Sequence, residues 1–133
     1  MQQKGGFSVV SIIAIIVILY FAGYILDRFE TKDYEKEIIG YIEEGEYYFA
    51  VDRYDYYSDM TVTGYSKKVE KAALDVACYL LICEELDKTN PDFEYIDACF
   101  DEMTGQYKKY KTFKKDVKEL KAYVKKVKKE SSD

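Results

Sequence analysis

The residues able to do chemistry in this 133-residue chain are three cysteines, fifteen tyrosines and 25 acids, with no histidine. The lack of histidine removes the commonest general base, the usual zinc sites and the Ser-His and Cys-His dyads. Cys78, Cys83 and Cys99 fall short of the four ligands in short paired spacing that zinc takes. Cys78 and Cys83 point to different faces of one helix. Cys83 and Cys99 both fall on apolar stripes of helices joined by a short turn, so an oxidising compartment would allow a Cys83–Cys99 disulfide. The competing reading, which is favoured, makes all three small buried core residues. Glu94, Asp97 and Asp101 share a helix face. Di-iron bundles pair such acids with Glu-x-x-His, which is absent, so a solvated face is expected. Asp52, Asp55 and Asp59 lack the alternate spacing and central glycine of a calcium loop. The one glycine among clustered charges, in Glu43-Glu44-Gly45-Glu46, is acidic where a phosphate loop wants amides and lysine. No catalytic, metal or cofactor site is therefore expected, and no small-molecule substrate.

Two features point instead to binding. Tyr47, Tyr48, Tyr54, Tyr56 and Tyr57 crowd into eleven residues. Tyrosine offers a large apolar area with a polar tip and is enriched at protein interfaces, which makes these five a candidate interface. The second feature is charge segregation. Residues 27–105 carry 21 acids and 8 bases, a net of −13; residues 106–133 carry 4 acids and 11 lysines, a net of +7; Lys4 brings the total to −5. The basic end carries an apolar seam at Tyr110, Phe113, Val117, Leu120, Val124 and Val127. That seam predicts packing of the lysine-rich helix on the acidic helices. A domain acidic overall is a poor nucleic-acid binder, so no nucleic-acid partner is expected.

These features need elements to hold them. Phe7 to Leu26 is a 20-residue run without charge. As a helix it spans roughly 30 Å, the thickness of a bilayer core. The run is longer than a signal-peptide core and ends without a small-x-small cleavage pattern. A single-pass transmembrane helix is therefore expected at 7–26, after a short basic tail at 1–6. The bilayer is the first expected partner, and a protein in a membrane-associated assembly the second. A basic six-residue N-terminus kept in the cytoplasm would put the rest of the chain on the extracytoplasmic side.

Residues 27–130 read as a small all-α domain, an antiparallel bundle of three or four helices. Expected helices cover about 30–58, 66–88, 91–103 and 106–130, with the last two either continuous or divided at Thr104-Gly105. In the first, Tyr34, Ile38, Tyr41, Ile42, Tyr48 and Phe49 share a face, while Gly40 and Gly45 weaken it by about 1 kcal/mol each. Met60–Tyr65 is the expected loop. Ser66 caps the second helix, whose stripe runs through Val69, Ala73, Val76, Leu80 and Cys83. Asn90 caps the third, with Pro91 in its first turn. Residues 131–133 should be a frayed tail.

The start of the chain, Lys4-Gly5-Gly6-Phe7 followed by the apolar run, resembles the N-terminus of type IV pilin-like proteins. The resemblance implies cleavage after Gly6 and assembly through residues 7–26. It covers about a fifth of the chain, and the family's glutamate would fall at Ser11. The expected function is a membrane-anchored helical scaffold or protein-interaction module without catalysis. The alternative is a minor pilin-like subunit of a secretion or surface filament system.

Overall fold

The computed structural model describes residues 9–60 and 64–132. Within 9–30 it describes only the side chains of Ile13, Ile15, Ile16, Val17, Ile18, Leu19 and Ala22. The basic tail 1–6, Phe7 and Ser8 lie outside the described residues. The fold is all-α, with helices α1 (Val9–Glu43), α2 (Tyr47–Ser58), α3 (Lys67–Leu86), α4 (Phe93–Glu102) and α5 (Lys111–Ser132). A 3-10 turn, Gln106–Lys109, precedes α5. Counted over the described residues alone, no helix is long and apolar enough to cross a membrane. The expected span 7–26 falls only partly within those residues.

The expected first helix is two helices, because Gly45 stops α1. Its φ is +79°, the left-handed region that glycine enters without steric cost. The Glu46 N–H then donates to the Tyr41 carbonyl at 2.8 Å and the Gly45 N–H to the Ile42 carbonyl at 3.1 Å. This is the Schellman pattern, which satisfies carbonyls the helix end would otherwise orphan. The chain reverses, and α2 runs back antiparallel to α1. Tyr34 stacks on Tyr57 with ring centroids 4.0 Å apart, and Tyr41 meets Phe49 at 5.8 Å. The break also resets the helical phase. Tyr47 and Ala50 turn inward, while Tyr48 and Phe49, expected to share a face with Ile38 and Ile42, are exposed.

Helix α3 starts where expected. The Ser66 hydroxyl accepts from the Val69 N–H at 3.4 Å. At its far end the expected Asn90–Pro91 start moves by two residues. The cap of α4 is Asp92, whose carboxylate accepts from the N–H groups of Glu94 and Tyr95, both at 3.1 Å. The Asp92 N–H is itself taken by the Glu85 carboxylate at 3.0 Å, which also holds Lys88 at 3.0 Å. Glu85 thus clamps the α3–α4 turn. The backbone N–H of Asp92, then Lys88, hold its carboxyl below the usual carboxylate range. A carboxyl whose pKa falls on folding adds stability above its unfolded value, near 4.3, and loses it as pH drops through the lowered folded value. The melting temperature of Glu85→Gln should therefore fall less than the wild type's between pH 5 and pH 3. Parallel acid melting curves would show that Glu85 does not clamp the turn.

Segment 91–130 is divided, not continuous. At Met103 the backbone turns extended, and Gly105 adopts φ +93°. The core then forms two tiers along α3. The lower tier gathers Ile38 and Ile42 of α1, Tyr47 and Ala50 of α2, Val69, Ala72 and Val76 of α3, and Tyr107, Tyr110, Phe113 and Val117. The upper tier joins Ile82, Ile96, Cys99, Leu120 and Val124. α5 belongs to both and is the strut between them.

Candidate interaction surfaces

The tier junction is fixed by a buried acid, Asp75 of α3, which is fully shielded from solvent. Its carboxylate accepts from the Thr104 N–H at 2.6 Å, the Thr104 hydroxyl at 3.0 and 3.1 Å, and the Tyr107 N–H at 3.0 Å. It serves as a remote cap for the 3-10 turn and pins the α4–α5 connection to α3. Both carboxylate oxygens are engaged, each by one backbone N–H, with the single Thr104 hydroxyl proton shared between them, so the group is tied up as a structural acceptor. Sequence reasoning missed this residue. The available signal was an acid set between Ala72 and Val76 on an apolar stripe.

The five tyrosines of the candidate interface do not act as one surface. Tyr47 is core: its hydroxyl donates to the Asp116 carboxylate, and its ring packs on Phe113 and Tyr79 at 4.8 and 4.9 Å. Burial, then the Asp116 bond, push its pKa upward, and burial pushes Tyr79 up to about 12. Tyr54 is half-buried and stacked on Tyr65 at 4.5 Å. Tyr57 is half-buried and donates to Glu37 at 2.7 Å. Only Tyr48 and Tyr56 stand out, 71% and 60% exposed, joined by Phe49 at 50%. Asp52 and Asp55 are exposed on the same helix, and Asp59 is exposed just past its end. The outer surface of α2 is thus acidic and aromatic, and it includes Phe49, which the periodicity places on one face with Ile38 and Ile42.

The seam of α5 packs as drawn from sequence through most of its length. Tyr110, Phe113, Val117, Leu120 and Val124 are buried and Val127 is half-buried. That packing brings few lysines onto acids. Among the described residues, the lysines of α5 form two ion pairs, Lys115–Glu119 at 4.0 Å and Lys128–Asp97 at 3.3 Å. Both are exposed and contribute little.

No bond joins Cys83 to Cys99; all three thiols are free. Cys83 is engaged by the Tyr79 hydroxyl, while Cys99 neighbours Cys78 and Tyr95. Burial pushes the thiols of Cys78 and Cys83 up, which makes them poor nucleophiles. Glu94, Asp97 and Asp101 are exposed on α4, where Asp97 meets Lys128. Among the described residues, no group of three or more Cys, Asp or Glu side chains is placed to hold a metal ion.

Among the concavities formed by the described residues, two beside the lower tier are lined by lysines. One, of about 640 Å³, lies between α1 and the start of α3 and is lined by Lys32, Lys36 and Lys68 together with Glu35 and Glu43. Glu35 there accepts from the Ser66 N–H at 2.7 Å. The other, of about 240 Å³, lies between the 3-10 turn and α5 and is lined by Tyr107, Lys108, Lys114, Val117, Lys118 and Lys121. No protein family, curated protein or solved structure matches the chain.

Proposed function

We propose that this is a membrane-anchored helical interaction module without catalysis of its own. Residues 7–26 hold it in a bilayer, and the helical domain, on the extracytoplasmic side, meets a protein partner. One observation carries the reading. In α1, Ile13, Ile15, Ile16, Val17, Ile18 and Leu19 are 43–66% exposed. Five of them are consecutive, so at 100° per residue the helix is apolar on every side. A partner docking on one face would leave the others in water, at about 1.5–3 kcal/mol for each large aliphatic side chain. A bilayer surrounds all of them at once. The exposed surface of α2, with Tyr48, Phe49 and Tyr56, supplies aromatic anchors of the kind that dominate protein interfaces.

The full chain should float with liposomes and resist alkaline carbonate extraction. Ile16→Lys with Leu19→Lys, each adding about 2.5–3.5 kcal/mol near the span centre, should move it to the supernatant. Recovery of the wild-type chain in the supernatant would remove the anchor from the reading.

A minor pilin-like subunit is the second reading. It is supported by the unbroken passage of α1 from the apolar run into the domain, alongside the Lys4–Phe7 start. Mass spectrometry of the native N-terminal peptide separates the two. A chain beginning at a methylated Phe7 favours the pilin-like subunit; one beginning at Met1 or Gln2 favours the plain anchor.

A further inference from the structure

We propose that the cleft between the 3-10 turn and α5 is a phosphate-binding site, and that Lys108, Lys114, Lys118 and Lys121 hold the phosphate. Lys114, Lys118 and Lys121 are spaced four and three apart, which aligns them along one side of α5. Lys108 closes the cleft from the 3-10 turn. Tyr107 is its floor: the Lys108 ammonium lies 6.0 Å and the Lys121 ammonium 5.7 Å from the ring centroid. The Tyr107 hydroxyl accepts from Lys121 at 3.3 Å, which leaves its own proton to donate.

Charge selects the ligand. No carboxylate lines the cleft, and none of these four lysines has an ion pair among the described residues. This occurs in a chain with 21 acids between residues 27 and 105, so carboxylates were abundant and the fold keeps them away. A single carboxylate would leave three of the four charges uncompensated. A phosphate monoester brings about −1.5 to −2 charges and three acceptor oxygens, and a pyrophosphate group brings more. Lysine meets such a group as a point charge rather than as a fork, which suits a ligand approached from several directions.

Size agrees. At about 240 Å³ the cleft is below the ~300–1,000 Å³ of pockets that enclose drug-sized ligands. It fits a phosphoryl group, free or at the end of a larger molecule. The headgroups of the anchoring bilayer are out of reach. α1 continues 43 − 26 = 17 residues past Leu26, about 25 Å of helix. A Cβ at Gly45, in the turn at its end, would touch Thr112 and Asp116, so the turn faces the start of α5. That distance exceeds a headgroup layer of roughly 5–8 Å. This exclusion alone rests on the anchor reading; the cleft itself does not.

The test is calorimetric titration of the full chain in zwitterionic micelles at 150 mM salt. Three probes are used: inorganic pyrophosphate, a phosphoserine peptide, and the same peptide with glutamate in place of phosphoserine. Lys118→Ala/Lys121→Ala should weaken phosphate binding at least tenfold. Lys125→Ala/Lys126→Ala, further along the same helix, should leave it within twofold. Circular dichroism confirms that both variants stay folded, and Lys118→Gln/Lys121→Gln repeats the test with the side-chain length kept. Pyrophosphate binding alone assigns the cleft to free phosphate compounds. Tighter binding of the phosphopeptide assigns it to a phosphorylated partner. No binding of either, equal binding of the glutamate peptide, or equal losses in both double variants would overturn the site. Because flotation reads the anchor separately, failure of one proposal does not masquerade as failure of the other.

Discussion

Replacing Asp75 by alanine should destabilise the domain by about 3–4 kcal/mol, more than any surface change. The carboxylate is completely buried and is the partner of two backbone N–H groups and one hydroxyl. Hydrogen bonds to a charged group contribute about 1.5–3 kcal/mol each, and a buried donor left without a partner costs about 1–3 kcal/mol. Asp75→Ala orphans the N–H groups of Thr104 and Tyr107 together, and the Tyr107 bond is buried. For a domain of this size the loss corresponds to a melting point lower by roughly 10–25 °C.

Asp75→Asn is the sharper probe. It keeps the shape but turns one of the two oxygens into an N–H₂ group facing a backbone donor, so about 2–3 kcal/mol should be lost. Thr104→Val leaves both backbone bonds in place and should cost only about 1 kcal/mol. Thermal melting of the detergent-solubilised chain ranks the three. If Asp75→Asn melts within a degree or two of the wild type, the carboxylate does not hold the 3-10 turn.

Asp75 also shows where reading the sequence stops. Its partners lie 29 and 32 residues along the chain, and no local pattern links an acid on one helix to the start of a turn so distant. Local patterns succeed where burial repeats. The first part of the stripe, Val69, Ala73 and Val76, and the seam from Tyr110 to Val124 are legible because each helix shows the core one side at helical spacing, although further along α3 the expected Leu80 and Cys83 are half-buried and Ile82 is the core residue. They fail where the phase is broken. Gly45 looks like a mild helix weakener. Its actual role follows from two backbone bonds that close only when it turns left-handed. The four residues that follow then change sides, which is why Tyr47 is core and Phe49 is not. The lysine cleft was hidden for a related reason. A seam shows that α5 docks, but says nothing about whether the lysines beside it find acids. Among the described residues most of them have no ion pair, because the seam points α5 at apolar side chains rather than at carboxylates.

Phe113→Ala should have the other large effect, a loss of about 3–5 kcal/mol. Phe113 has no solvent exposure and packs against Tyr47, Tyr79 and Tyr107, with ring centroids 4.8, 5.8 and 5.9 Å away. The three tyrosines come from α2, α3 and the 3-10 turn, so one side chain ties three elements to α5. Removing it deletes the apolar area of the ring. It also leaves a cavity that these neighbours cannot fill, because Tyr47 is held by its bond to Asp116 and Tyr107 by its bond with Lys121. Leu120 lies in the upper tier and is 8% exposed; Leu120→Ala should cost about 2–3 kcal/mol. Tyr123, on the outer side of the same helix and 55% exposed, is the control, and Tyr123→Ala should stay within about 0.5 kcal/mol of the wild type. With total stability for such a domain of about 5–15 kcal/mol, Phe113→Ala should broaden or abolish the thermal transition followed by circular dichroism. Leu120→Ala should only shift it. Equal, small shifts for all three variants would mean that α5 rests on the domain without completing its core. In that case the unpaired lysines would belong to a loosely held helix rather than to a formed cleft.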